Sequence, residues 1–106
     1  MLEKRKDTKN NMLTPKNKAY LKGLANHLKA QINLGKGEID EGIISSINNS
    51  LEAHELIKIK VLQNSNELCE DLAIQITKQT KSELVDIIGR TIILYRESKK
   101  NHKITL

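Results

Sequence analysis

The chain has 106 residues, which is enough for one hydrophobic core and too few for two independent domains. It contains no Phe and no Trp, so Ile, Leu, Val and Ala must form the core, and its single cysteine, Cys69, excludes an internal disulfide. No apolar run is long enough to span a membrane, and residues 1–12 lack the apolar segment of a secretory signal. We therefore expect a cytoplasmic protein that makes no membrane contact.

The positive charge is concentrated in the first third of the chain. The net charge is +5, but residues 1–36 carry nine Lys/Arg against two acidic residues, and residues 37–106 carry nine against eleven. A local excess of this kind is typical of a surface that binds a polyanion. From charge alone, a solvated basic face that keeps the protein soluble is the alternative.

A charged segment precedes the first predicted helix. Residues 1–12 are polar and show no periodicity, so we interpret them as a disordered basic arm. Thr14 as N-cap and Pro15 at the first helical position predict where the helix begins. Helical spacing gives the helix an apolar side with Tyr20, Leu21, Leu24, His27 and Leu28, and a basic side with Lys18, Lys22 and Lys29.

Strands and helices alternate through the middle of the chain. Residues 31–34 are a short strand candidate, and Asp40 can cap a second helix whose apolar positions are Ile43, Ile44, Ile47 and Leu51. Residues 55–62 predict a strand with Ile57, Ile59 and Val61 on a buried face and Lys58 and Lys60 on an exposed face. A third helix is expected to begin at Asn64 or Ser65, with Leu68, Leu72, Ala73 and Ile76 facing inward.

The last predicted elements form a hairpin. Residues 83–88 and 91–96 flank Gly89-Arg90, which suits a type II′ turn, and pairing Ile88 with Thr91 places Val85, Ile87, Ile92 and Leu94 on one face. The basic tail that follows is expected to be loose. A helix followed by β-α-β-α-β-β predicts an α/β two-layer sandwich with a four-stranded mixed sheet.

The sequence offers little for catalysis. The histidines, His27, His54 and His102, do not lie with cysteines or carboxylates at metal-ligand spacing. We predict no enzymatic activity, no cofactor, no metal and no small-molecule substrate.

The loop Gly35-Lys36-Gly37-Glu38 is the best candidate for a binding site. It lies between a strand and a helix, where backbone N–H groups and the helix N-terminus attract phosphate oxygens, and Lys36 adds a charge. The loop lacks the ending of a Walker motif and the third glycine of a dinucleotide fingerprint. Such turns also occur for conformational reasons alone. With only Tyr20 and Tyr95 as aromatics, recognition of RNA backbone and shape is favoured over base stacking.

Four segments resemble the bacterial YhbY family, single-domain members of the CRM (chloroplast RNA splicing and ribosome maturation) group. They are LTPKNKAYLKGLANHLKA, INLGKGEIDEGIISSI, LEAHELIKIKVL and LVDIIGRTIILYR, and the similarity runs from Leu13 to Arg96. The resemblance implies a fold like the C-terminal domain of translation initiation factor 3, RNA binding through a GxxG loop like that of KH domains, association with precursors of the large ribosomal subunit, and no enzymatic activity. The loop maps onto Gly35, Lys36, Gly37 and Glu38, where Glu38 replaces the usual fourth glycine.

These observations lead to one principal hypothesis and one alternative. The chain divides into an arm (1–12), a CRM RNA-binding domain (13–97) and a basic tail (98–106). The principal hypothesis is a non-catalytic protein that binds ribosomal RNA in large-subunit precursors. The predicted contacts are Gly35, Lys36 and Gly37, with Lys18, Lys22 and Lys29 beside them and Lys58, Lys60 and Arg90 as secondary contacts. The alternative is a protein-interaction module whose basic face binds an acidic ribosomal protein or assembly factor.

Overall fold

The first helix begins where its capping residues predict. The computed structural model describes residues 13–35, 39–62 and 68–106. Helix α1 spans Pro15–Ala25, and the Thr14 hydroxyl accepts a hydrogen bond from the N–H of Asn17 at 3.0 Å. The helix ends earlier than its periodicity suggested, with Asn26 as C-cap. His27 and Lys29 therefore lie beyond it, in the connection to the first strand, and the prediction that they share its faces is wrong.

Two further helices follow. Helix α2 spans Glu41–His54, and the predicted cap is confirmed because an Asp40 carboxylate oxygen accepts from the N–H of Ile43 at 2.9 Å. Helix α3 spans Cys69–Thr80 and begins without a side-chain cap. Leu68 precedes it and is 66% exposed, so the prediction that Leu68 faces inward is wrong. The predicted start at Asn64 or Ser65 lies outside the described residues.

Four strands form one mixed sheet. Their bounds are Ile32–Leu34 for β1, Leu56–Val61 for β2, Glu83–Ile88 for β3 and Thr91–Tyr95 for β4. The strand order is β1-β2-β4-β3, with β1 and β2 parallel and the other pairs antiparallel. The predicted four-stranded mixed sheet is therefore confirmed. The expected likeness to initiation factor 3 stays a prediction.

The closing hairpin has the predicted turn but an unexpected bulge. Gly89 has a φ of 60°, and Ile88 pairs with Thr91. Between Leu84 and Asp86 the register shifts, so β3 carries one extra residue. A bulge of this kind reverses the facing of the residues beyond it. Val85 consequently packs on the face opposite to Ile92, and its predicted placement is wrong.

Both faces of the sheet carry apolar clusters. In β4, Ile92 and Leu94 belong to one cluster, whereas Ile93 and Tyr95 belong to the other, as expected for side chains that alternate along a strand. The larger cluster lies between the sheet and helices α2 and α3, which form the predicted sheet and helix layers. The smaller cluster contains Leu21 and Ala25 of α1, so this helix covers part of the second face.

The C-terminal tail is docked on the carboxylate of Glu55. Glu55 follows α2, is fully buried and has a left-handed φ of 65°. One carboxylate oxygen accepts from the N–H of Ser98 at 2.7 Å, and the other accepts from the N–H groups of Lys103 at 2.6 Å and Ile104 at 2.8 Å. The expectation of a loose tail is therefore wrong. Sequence patterns could not reveal this docking, because backbone N–H groups make the contacts.

This docking predicts an acid-sensitive tail. Burial by itself would raise the pKa of the Glu55 carboxyl, but hydrogen bonds from Ser98, Lys103, Ile104 and His102 outweigh burial and hold that pKa below its ordinary value. Because an unfolded-chain Glu has a pKa of about 4.3, the ionised carboxylate stabilises the fold fully above that pH. This contribution is lost as the pH falls through the lower pKa of the folded state.

We expect the amide resonances of Ser98, Lys103 and Ile104 to shift together below about pH 4. The measurement is an NMR titration, with the amides of β4 as an internal control for unfolding. Tail resonances that stayed in place until β4 itself unfolded would contradict the prediction.

Candidate nucleic-acid interface

The ends of β1 and β2 and the turn between β3 and β4 lie at the same end of the sheet. The parallel strands β1 and β2 end side by side, and the N–H of Leu62 donates to the carbonyl of Leu34 at 2.7 Å. The β3–β4 turn lies at the same end, since the N–H of Val61 donates to the carbonyl of Arg90 at 2.7 Å. We call this region, formed by Leu34–Gly35, Val61–Leu62 and Gly89–Arg90, the loop end.

Two helix N-termini point toward the loop end. Helix α2 follows β1 and helix α3 follows β2, so both helices begin where a parallel strand has ended. The first N–H groups of a helix lack intrahelical partners and carry partial positive charge, which attracts anions. Asp40 occupies one such N–H in α2, whereas α3 has no side-chain cap. The backbone at both helix N-termini therefore favours anionic groups, and Glu41 of α2 and Glu70 and Asp71 of α3 already place carboxylates in these first turns.

The predicted glycine loop is attached to the loop end. Gly35 is half-buried and directly follows β1. Lys36, Gly37 and Glu38 lie outside the described residues, so their predicted phosphate cradle remains a prediction. What the structure provides is the position of both ends of the loop, at the last residue of β1 and the N-cap of α2.

The lysines of α1 face acidic residues of the same molecule. The Lys22 ammonium lies 3.0 Å from the Asp86 carboxylate, and its hydrogen bond lowers the pKa of Asp86 although burial opposes this. Burial raises the pKa of Glu83, and the nearby charge of Lys18 partly offsets the rise. The basic side of α1 is thus partly neutralised by β3. Lys29 is exposed but lies beyond the helix, so the predicted row of three helical lysines does not form.

The two lysines of β2 differ in their surroundings. Lys58 is half-buried, and its ammonium donates to the carbonyl of Leu28 at 3.0 Å. This contact anchors the connection after α1 to the sheet. Lys60 is exposed, and it lies between Asn33 of β1 and Thr91 of β4. Lys60 is therefore the strand lysine whose charge is presented at the loop end.

Arg90 has a structural role in the turn. Its guanidinium donates through Nε to the carbonyl of Val61 at 3.0 Å and through Nη2 to that of Leu62 at 2.7 Å. These bonds tie the hairpin turn to the end of β2. They also hold the charge of Arg90 at the loop end.

Comparison with known proteins identifies the family. The sequence model of the CRS1/YhbY (CRM) domain matches residues 13–96. The chain belongs to the CRM domain family. It is 46% identical over 95 residues to the probable RNA-binding protein YqeI of Bacillus subtilis, covering 90% of this chain and 99% of that protein. An RNA-binding protein of Haemophilus influenzae is 40% identical over 88 residues, covering 83% of this chain and 89% of the relative.

A solved structure supports the CRM fold. The solution structure of a hypothetical protein from Staphylococcus aureus, described as a candidate RNA-binding protein, superimposes with a TM-score of 0.75. Its sequence is 45% identical, and the match covers 90% of this chain and 99% of that one. The expected family and α/β architecture are both confirmed.

Aromatic side chains are few in this CRM domain, which has two Tyr and no Phe or Trp. Tyr20 is 52% exposed rather than packed, whereas Tyr95 is buried. Burial, together with the charges of Glu55 and Glu97, raises the pKa of Tyr95 to about 12.

Across residues 13–35, 39–62 and 68–106, His, Cys, Asp and Glu form no group of three or more suited to a metal ion. Within the same ranges, no helix has the length and apolarity needed to cross a bilayer.

Sequence reasoning missed one concave surface of the CRM domain. A groove between β1 and α2 is lined by Asn33, Ser46 and Asn49, among other residues. Ser46 and Asn49 are three residues apart and so share one face of α2. That spacing was the available signal, but only the fold places this face beside the edge strand.

Proposed function

We propose that this CRM domain binds structured RNA through phosphate contacts at the loop end, without catalysis. We further propose that it acts in the cytoplasm during assembly of the large ribosomal subunit. The observation that carries the proposal is the convergence of the two described ends of the β1–α2 loop, the β3–β4 turn and two helix N-termini at one end of the sheet. This arrangement directs backbone N–H groups and side-chain cations toward a shared anionic ligand.

The basic residues contribute to different degrees in this proposal. Gly35, Lys36 and Gly37 form the phosphate cradle, and Lys60 provides an adjacent exposed charge. Lys18 lies near Glu83 at the start of β3, the opposite end of that strand from the β3–β4 turn, and Lys29 lies before β1, so both add only a more distant positive charge. The remaining predicted contacts, Lys22, Lys58 and Arg90, are secondary because each already donates to a partner within the protein.

The choice of RNA rests on the relatives. YqeI and the Haemophilus influenzae protein are both named RNA-binding proteins and cover most of this chain. Ribosomal RNA in large-subunit precursors is the ligand that the YhbY resemblance implies. Binding through phosphates releases counterions, so affinity should fall steeply with salt and depend weakly on sequence.

We expect Lys36→Ala to weaken binding of all structured RNAs to a similar extent. It should also reduce the slope of log affinity against log salt by about one, because one phosphate contact is lost. The measurement is fluorescence anisotropy with a labelled hairpin from large-subunit ribosomal RNA, titrated between low and physiological salt.

The matched control is Lys78→Ala, which removes a lysine from the last turn of α3, far along the chain from the proposed cradle. This variant should bind RNA like the unmodified protein. Wild-type affinity that hardly changed with salt would contradict the phosphate mechanism. Co-sedimentation with large-subunit precursors that survived RNA digestion would instead point to an acidic protein partner.

A further inference from the structure

The second face of the sheet, on which α1 packs, is covered over only part of its length. The Lys22 ammonium of α1 lies 3.0 Å from the carboxylate of Asp86 on β3, and the Lys58 ammonium on β2 donates to the carbonyl of Leu28, beyond α1, at 3.0 Å. Lys58 and Asp86 both pair with Ile93 of β4, so the two contacts lie on one row across the sheet. Helix α1 and the connection after it therefore reach as far as this row.

The next row toward the loop end is more exposed. Lys60 pairs with Asn33 of β1 and with Thr91 of β4, and Thr91 pairs with Ile88 of β3. Side chains alternate along a strand, and the neighbours of these residues, such as Ile59 beside Lys60, pack in the main core, so the four lie on the second face. Asn33 and Lys60 are exposed, Ile88 is 46% exposed and Thr91 is half-buried. We call these four residues the open row, which is roughly 14 Å wide because neighbouring strands lie about 4.8 Å apart.

The open row offers three kinds of contact. The Lys60 ammonium in its middle attracts phosphate. The Asn33 amide at one end offers one acceptor and two donor hydrogens, and Ile88 at the other end presents apolar surface. None of the four residues is acidic, and Asp86, two positions before Ile88 on β3, already pairs with Lys22. The row therefore suits a ligand that has a negative charge, a hydrogen-bonding edge and an apolar part.

The open row also continues from the proposed phosphate cradle. Asn33 comes two residues before Gly35, so an RNA strand held at Gly35 can pass directly onto the row. In a duplex the Watson–Crick edges of the bases pair with each other, whereas an unpaired strand leaves them free for side chains. The amide of Asn33 therefore favours an unpaired strand over a duplex.

We propose that the open row binds an unpaired RNA strand that leaves the phosphate cradle and crosses the sheet from Asn33 toward Ile88. Lys60 binds a phosphate of this strand, the Asn33 amide bonds the edge of a base beside the cradle, and Ile88 packs against a base further along. The proposal rests on the proposed function, because the cradle holds the structured part of the same RNA. It adds that the preferred ligand has a junction between a duplex and a single strand.

The test compares one labelled RNA hairpin in a blunt form, with a short unpaired extension at its 5′ end, and with the same extension at its 3′ end. The full chain should bind one of the extended forms about fivefold more tightly than the blunt form, which corresponds to about 1 kcal/mol. The double variant Asn33→Ala with Ile88→Ala should lose this gain and keep its affinity for the blunt hairpin, because the cradle is intact. Lys36→Ala should instead weaken the blunt and extended forms by the same factor.

The matched control is Asn49→Ala with Ile74→Ala. It removes the same two residue types from exposed positions of α2 and α3, which pack on the other face of the sheet. This control should keep the full gain from the extension, and thermal unfolding should show that both double variants remain folded.

Equal affinity of the unmodified protein for all forms, or a gain that survives Asn33→Ala with Ile88→Ala, would overturn the open-row proposal, even if Lys36→Ala still weakened every form. Co-sedimentation with large-subunit precursors that survived RNA digestion but was lost in this double variant would assign the row to a protein partner, and would also overturn it. Absence of salt-dependent binding to any of the RNAs would overturn the proposed function itself.

Discussion

Glu55→Gln is expected to release the C-terminal tail and lower the free energy of unfolding by about 1–3 kcal/mol, the range for leaving a buried donor without an acceptor. In the native protein each carboxylate oxygen accepts at least one backbone N–H from the tail. An amide has a single oxygen, so it can serve only one side, and its NH₂ group would face the donors of the other. The measurements are urea unfolding and hydrogen exchange at Ser98, Lys103 and Ile104.

Glu97→Gln provides the matched control for this substitution. Glu97 lies close to the tail, but its side chain is 67% exposed, and its carboxylate lies 3.8 Å from Nδ1 of His102. The control should unfold at the same urea concentration as the unmodified protein. If Glu55→Gln behaved in the same way, and the tail amides kept their protection, then Glu55 would not be the tail anchor.

Arg96→Ala should have a second large effect, because the guanidinium of Arg96 joins the two helices on the main core face. It donates to the side-chain oxygen of Asn48 at 2.8 Å and to the backbone carbonyl of Thr80 at 2.6 Å. It also reaches the carboxylate of Glu52 at 3.1 Å. Removing it leaves partly buried acceptors unpaired, and we expect a loss of about 1–3 kcal/mol in unfolding free energy.

Arg96→Lys sharpens this prediction. A lysine keeps the charge but lacks the planar fork that reaches several acceptors at once, so it should recover only part of the lost stability. Lys100→Ala, in the exposed part of the tail, is the control for loss of a positive charge. Calorimetric unfolding measures all three variants. Full recovery by lysine would show that charge alone, and not the hydrogen-bond geometry, accounts for the role of Arg96.

Glu55 and Arg96 both lie in segments that resemble CRM domains, and both have structural roles. Glu55 lies in the segment LEAHELIKIKVL and Arg96 ends the segment LVDIIGRTIILYR. Both are charged, and charged side chains are usually exposed at a protein surface. In the structure they hold the tail and the helices instead. The segments that resemble CRM domains therefore include residues that hold the fold together.

The same distinction applies to the basic residues. Lys22, Lys58 and Arg90 were predicted as contacts because they are positive, but each has an internal partner in the fold. Sequence spacing cannot show such partners, because they lie on other elements. Lys58, for example, binds the carbonyl of Leu28, which is 30 positions away. Lys60, two residues later on the same strand face, remains exposed.

Interactions between residues close in the chain were sufficient to predict the helices, the strands and the closing turn. Thr14 with Pro15 predicted the start of α1, Asp40 predicted the start of α2, and Gly89 predicted the closing turn, because capping and turn preferences act between residues close in the chain. The alternation around Ile57 and Ile59 likewise predicted β2, since a strand buries every second residue on each face.

Tertiary structure decided the rest, because it depends on contacts between residues far apart in sequence. The bulge that turns Val85 to the second face, the docking of the tail on Glu55, and the groove beside Asn33 all require elements that only folding brings together. The sequence by itself determined which elements form, their order and where positive charge is concentrated. The fold determined which of those charges stabilise the protein and which face the solvent at the loop end.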